Sequence, residues 1–189
     1  MRIEVVTPPD HEPLTIGEAR AHLRLDSNDD DATVLALIMA ARAQVEAMTG
    51  RSLITRTLRA HFDGFAAPLW LPRAPVSAVS SISYVDQAGE MQTLAADRYQ
   101  VVAGEWSPAV YPAYGVSWPG TRPQPEAVSI TYVAGYGTIN AIPAPIKAAM
   151  LLLVGHLFQN REAASPDSIS EMPMGVEYLI SNFRLTATS

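Results

Sequence analysis

The most concentrated set of potential ligands in the chain is the acidic run Asp26-Ser27-Asn28-Asp29-Asp30-Asp31. Asp26, Asn28 and Asp30 fall on the first three ligand positions of an EF-hand loop, where alternate side-chain oxygens converge on a hard cation. Such a loop also needs glycine where Asp31 stands and a bidentate glutamate where Leu37 stands. The run therefore reads as a solvated loop whose carboxylates meet the positive end of the following helix. His11, His22, His61 and His156 are far apart, and no H-E-x-x-H pair places two imidazoles on one helix face. His22 and His156 lie beside apolar residues on expected helices, the usual setting of a partly buried, hydrogen-bonded histidine. There is no G-x-S-x-G elbow to expose a serine nucleophile. Gly135-Tyr136-Gly137 follows an expected strand as a phosphate-binding turn would, but Asn140 replaces the third glycine and no P-loop lysine follows. Turn chemistry accounts for it better. The remaining carboxylates are scattered and form no general acid–base pair by sequence alone. No catalytic residue, metal ligand or cofactor is assigned, and an enzyme is not expected.

Two groups of residues suit binding instead. Arg20, Arg24, Arg42, Arg51, Arg56 and Arg59 lie close enough in sequence for a basic patch, but interleaved Asp and Glu make a salt-bridged surface the expected outcome. Trp106, Tyr111, Tyr114 and Trp118 stand among prolines and glycines with few basic neighbours, which fits a partner-contact loop better than a base-stacking platform.

Composition narrows the classes further. At 189 residues the chain is long enough to bury a core, and 48% hydrophobic against 17% charged residues excludes a disordered chain. With no cysteine, disulfides and thiolate chemistry are excluded. The formal charge of −6 argues against a sequence-reading grip on nucleic acid. The opening Met1-Arg2-Ile3-Glu4 has no apolar run of signal-peptide length, so secretion is not expected. The apolar stretch Ala148 to Phe158 is too short to span a membrane, and no membrane partner is expected. Twelve of the 13 basic residues are arginine, which reads as genome composition.

The elements that must carry these residues follow from periodicity. Thr15 and Glu18 form a capping box, and Ile16, Ala19 and Leu23 continue it as a short helix ending near Leu25. Val34, Leu35, Ile38, Ala41, Val45 and Met48 predict a second helix from about Asp30 to Thr49, with Gly50 at its left-handed C-cap. Ten of the 15 prolines then fall between Pro68 and Pro145, and short alternating runs replace the helical period. Strands are expected over 54–62, 76–85, 91–94, 99–102 and 128–133, with Asp86-Gln87-Ala88-Gly89 as a hairpin loop. From 104 to 125 no regular element is predicted. Pro143 and Pro145 open a central helix, 146–160, that is apolar nearly all round. A polar linker, 163–173, leads to a short terminal helix whose stripe of Val176, Leu179, Ile180 and Phe183 must bury itself on its own core or on another protein. The expected fold class is α+β, a small helical bundle (two N-terminal helices, a long apolar helix and a short C-terminal helix) with a β-rich insertion. Its divisions are 1–52, an N-terminal helical part of the core; 53–134, the insertion; 135–162, the central helix; and 163–189, a C-terminal docking tail.

In this order the residues resemble the head–tail connector, or adaptor, family of tailed bacteriophages and phage-like gene transfer agents. The stretches that carry the resemblance are 14–24 with the acidic loop behind it, Thr49-Gly50-Arg51-Ser52-Leu53, Leu71-Pro72-Arg73-Ala74-Pro75-Val76, Tyr132-Val133-Ala134-Gly135-Tyr136-Gly137, Pro143-Ala144-Pro145-Ile146-Lys147, Asn160-Arg161-Glu162 and Met172-Pro173-Met174-Gly175-Val176-Glu177. Each is mainly turn and core chemistry, and their collinearity over nearly the whole chain makes the likeness. The resemblance implies a structural protein of the virion neck, present in the host cytoplasm before assembly. It implies a homo-oligomeric ring, usually of twelve, beneath the portal protein, extending the DNA channel and offering a platform to a stopper or tail protein. DNA would pass through the lumen without sequence-specific binding. The tail would dock on the portal through Val176, Leu179, Ile180 and Phe183, and the insertion would face the periphery or the tail side. Two other classes stay open at this point: a DNA-packaging or DNA-binding accessory protein, and a small cofactor-free hydrolase.

Overall fold

The computed structural model describes residues 1–160 and 173–185. They form an α+β protein of two units. One comprises Met1–Asp10 and Thr55–Gly135; the other comprises His11–Ile54 and the described residues from Tyr136 onward.

The helical unit begins at α1 (Ile16–Leu23), where Thr15 caps as expected. Its Oγ accepts from the Glu18 amide at 3.1 Å, and the Glu18 carboxylate accepts from the Thr15 amide at 2.8 Å. Helix α2 (Asp31–Thr49) ends at Gly50 with φ 73°, a conformation that costs glycine little. Its start differs from expectation. Asp30 has φ −93° and ψ 3° instead of the extended backbone of an N-cap, and its side chain makes no capping bond. The carboxylate in the first turn is that of Asp31, which lies 3.7 Å from Arg20 Nε. Helix α3 (Ala144–Gln159) carries a proline in its first turn, and the amides of Ile146 and Lys147 donate to the Pro143 carbonyl. Helix α4 (Met174–Ile180) runs into a single 3-10 turn, Ser181–Phe183. One core joins all four helices through Ala19, then Val34, Ile38, Ala41 and Val45, then Ile146, Met150 and Val154, then Val176 and Ile180. By length and composition alone α2 could cross a membrane, but the face holding these four residues makes it a core helix.

The β unit holds two antiparallel sheets. The larger has the order β1 (Arg2–Thr7), β2 (Arg56–Phe62), β8 (Val128–Ala134), β4 (Val76–Val85), β5 (Met91–Thr93); the smaller is β3 (Leu69–Trp70), β7 (Ala109–Pro112), β6 (Tyr99–Val102). Alternation along β2 and β8 sends Leu58, Ala60, Val128, Ile130 and Tyr132 into a core with Leu69, Val110 and Ile82, and leaves Arg59, Ser129 and Thr131 on the other face. The Tyr132 hydroxyl donates to the Pro72 carbonyl at 2.8 Å, and burial raises its pKa above the usual phenol value. In the hairpin between β4 and β5 the Asp86 carboxylate accepts from the amides of Ala88 and Glu90 and from Gln92, with Gly89 at φ 94°.

Three expectations need correction. Residues 1–10 belong with the β unit, not with 1–52, because β1 pairs along β2 from Arg2↔His61 to Thr7↔Thr57. The boundaries on either side of the insertion move by one or two residues, to 54/55 and 135/136, while the expected division at 162/163 lies outside the described residues, with α3 and α4 in one unit. The span 104–125 contains a strand after all: β7 pairs with both β3 and β6, and its Ala109 and Val110 are fully buried. β3 and β7, of two and four residues, lie among prolines and show no period of their own.

Candidate interaction surfaces

Ionic groups in the helical unit serve its own elements. Lys147 on α3 reaches Glu18 of the α1 capping box at 2.6 Å. Burial pushes the Glu18 carboxyl up, but hydrogen bonds from Lys147 and Thr15 outweigh it and hold its pKa below the ordinary glutamate value. This contribution is fully present above the ordinary value and is lost as pH falls through the lowered one. Urea unfolding across the acid range should therefore show Glu18→Gln less stable than the native chain near neutrality, with the gap closing on acidification. A pH-independent gap would contradict this role.

Arg42 binds Glu12 at 2.7 Å and lies 3.4 Å from Glu46, whose other oxygen accepts from the Leu53 amide at 2.9 Å. Arg51 is fully buried. Its Nε donates to the Phe183 carbonyl at 2.6 Å, and its guanidinium lies 5.9 Å from the centre of the Tyr136 ring. Nearby, the Leu185 amide donates to the Thr49 carbonyl at 2.8 Å. Arg51 and Thr49 thus hold the chain just after α4 at the C-terminal end of α2. Sequence reasoning grouped Arg51 with surface arginines, because its acceptor lies 132 positions away.

The four residues expected to dock on the portal find a home within the chain. Val176 and Ile180 are completely buried in the helical core, and Leu179 and Phe183 pack against it. The stripe is partnered, so docking through it would require α4 to leave that core. Part of the expected tail, 163–172 and 186–189, lies outside the described residues. The outward side of α4 carries Met174 and Tyr178, which are almost fully exposed.

The expected partner-contact loop divides. Trp118 stacks on Phe65 at 4.7 Å and donates to the Ala66 carbonyl at 2.8 Å, which anchors its segment to the β unit. Tyr111 lies on β7 opposite Gln100. Trp106 and Tyr114 are exposed.

The histidines stay dispersed. His22 is exposed on α1, and His156 on α3 lies 3.4 Å from the Asn160 side chain. His61, not singled out by sequence, lies between the carboxylates of Glu4 and Glu126 at 3.3 and 3.5 Å. The hydrogen bond from Arg2 lowers the Glu126 pKa, keeping this exposed carboxylate ionised, the opposite of what a general acid needs. The pairing of β1 with β2 is what gathers this cluster, so it was invisible without that strand. In the glycine turn, the Gly135 amide donates to the Pro75 carbonyl and the Tyr136 amide to the Leu53 carbonyl, leaving neither to cradle a phosphate. Among the described residues no group of three or more histidines and carboxylates could hold a metal ion.

The fold and these surfaces define a structural protein: ion pairs brace its own elements, and large apolar side chains such as Met39, Met174 and Tyr178 stand exposed. The family model for the phage gp6-like head-tail connector protein matches residues 13–93, from α1 through β5. A chain in the neck of an empty gene transfer agent particle, computed with C6 symmetry, superposes with a TM-score of 0.82 at 27% identity. One in the virion of the native gene transfer agent particle gives 0.81 at 30%, and one in the native neck computed with C12 symmetry gives 0.80 at 29%. Each match covers 100% of this chain and 98% of its relative. No curated protein matches. The chain belongs to the phage gp6-like head–tail connector family.

Proposed function

We propose that this chain is a structural head–tail connector that forms a ring, of twelve copies, in the neck of a phage or phage-like gene transfer agent particle. The observation that carries this reading is the end-to-end likeness to chains of gene transfer agent necks, at 27% and 29% identity, and of a gene transfer agent virion, at 30%. The ring lies beneath the portal, extends the DNA channel and offers its far side to a stopper or tail protein. Its charge suits a conduit: each copy carries −6, and an acidic lumen repels phosphate through water and counterions instead of gripping it.

Electron microscopy of purified tailed particles tests both statements. The expected density is a ring of this chain between capsid and tail, with Asp and Glu outnumbering Arg on the lumen. Particles complete without the chain would overturn the connector reading, and a constricted, arginine-lined channel would overturn the electrostatic one.

The portal contact is assigned to the C-terminal segment, 163–189, with the α4 stripe kept in its own core. Burial of Val176 and Ile180 supports this division, since each fully buried aliphatic side chain is worth about 1.5–3 kcal/mol that release would forfeit.

A further inference from the structure

Helix α2 turns one face to the core and another to solvent, and the solvent face is uncharged and mainly apolar, with Thr33 and Gln44 its polar members. Leu35 and Met39 are exposed there, flanked by exposed Ala36, Ala40, Ala43 and Ala47. The three charged residues of the helix are engaged elsewhere: Asp31 lies beside Arg20, Arg42 bonds Glu12, and Glu46 is buried. A helix side that ends in water normally carries charge, so this one lacks the character of a permanently solvated surface. The same unit has a second exposed apolar patch. Met174 and Tyr178 are one turn apart on α4, and Leu152 of α3 adjoins them, its Cδ1 being 3.5 Å from where a Cβ on Gly175 would stand. Glu177 and Arg184, 3.6 Å apart, supply a polar, internally neutralised rim.

The two patches differ in shape. The α2 face is mostly alanine with two long side chains, while the α3–α4 patch presents large side chains. Small residues on one helix leave the grooves that large ones on another fill. Cyclic symmetry also requires two different, complementary patches on every copy, since a self-complementary patch closes a dimer and goes no further. Relatives of this fold occupy necks computed with six- and twelve-fold symmetry.

We propose that the Leu35–Met39 face of α2 packs against the Leu152, Met174 and Tyr178 patch of a second copy of this chain, and that this head-to-tail contact closes the ring. The inference rests on the connector reading and names the surfaces that it leaves open.

The absence of cysteine makes the test clean. Met39→Cys and Tyr178→Cys are placed singly and together in the full chain, incorporated into particles, and treated with a short bis-maleimide. The double variant should give a ladder of covalent oligomers beyond the dimer, and neither single variant should. Dimers from Met39→Cys alone would mean that α2 pairs with itself, and would overturn the proposal. A ring visible in the particles with no ladder would overturn it too, handing these faces to another virion protein or a lipid surface. Particles that are complete without the ring would overturn the connector reading and this inference with it. As a second variant, Leu35→Glu with Met39→Glu should lower ring incorporation at least tenfold while the free chain melts as before. Unchanged incorporation would count against the α2 face.

Discussion

Replacing Arg51 by alanine should destabilise the helical unit by about 3 kcal/mol and loosen α4 before anything else. The side chain is fully buried, so the substitution leaves a cavity where a large side chain stood. It also removes the donor to the half-buried Phe183 carbonyl, and a hydrogen bond to a charged group contributes about 1.5–3 kcal/mol. The contact with the Tyr136 ring adds a smaller loss, about 0.5–1 kcal/mol. The effect is local in origin. Arg51 holds the backbone directly after α4, so amide exchange at Val176–Ile180 should quicken by more than at the buried core of α2. Arg51→Met separates the causes by filling most of the volume without a donor, and should recover the packing but not this hydrogen bond. Arg51→Lys keeps the charge but not the fork that places Nε against the carbonyl, and should fall between the two. Urea unfolding and hydrogen exchange measure all three. Wild-type stability and exchange in Arg51→Ala would mean that α4 is held by its apolar stripe alone.

What sequence could reveal of this molecule follows the range of the interactions involved. The capping box of Thr15 and Glu18 spans four residues and was legible as it stands in the structure. The spacing of Val34, Ile38, Ala41 and Val45 predicted α2, and these four are fully buried. The expected bounds of β4 and β6 match those found, because their alternation runs between clear turn signals. β1 was overlooked although Ile3 and Val5 alternate with Arg2 and Glu4; as an edge strand it buries little, so the alternation carried no strong apolar signal. β3 and β7 contain two and four residues and are specified by pairing with each other and β6, which no local window contains. The same limit applies to the candidate surfaces. That Val176, Leu179, Ile180 and Phe183 needed a partner was legible from their spacing. Which partner they have depends on α3, and on Arg51 bonding a carbonyl far along the chain. The bare face of α2 was likewise hidden: its periodicity marks an apolar stripe, but only the packed unit separates the residues that are covered from Leu35 and Met39, which are not.

Ile180→Ala should lower the stability of the helical unit by about 2–4 kcal/mol, since the side chain is wholly buried and its removal combines lost transfer energy with a cavity. For a chain of this size each kcal/mol moves the melting temperature by about 2–4 °C, so the shift is readily seen in a thermal scan. Tyr178→Ala, on the outward side of the same helix, should stay within about 0.5 kcal/mol of the native chain. The contrast bears on the proposed contact of the C-terminal segment with the portal. If the stripe were a docking element with no role in the free chain, Ile180→Ala would abolish portal binding and leave melting unchanged. If instead α4 transferred from its own core to the portal, anything that weakens its hold at home would raise portal affinity, because the transfer-competent state would already be populated. Arg51→Ala is that perturbation: it loosens α4 without altering a residue of the stripe. With the stripe retained in the core, portal affinity should not rise in Arg51→Ala, while Ile180→Ala should melt early. Tighter portal binding by Arg51→Ala would show that α4 changes partners during assembly, making the buried contact of Arg51 with Phe183 the latch that assembly releases.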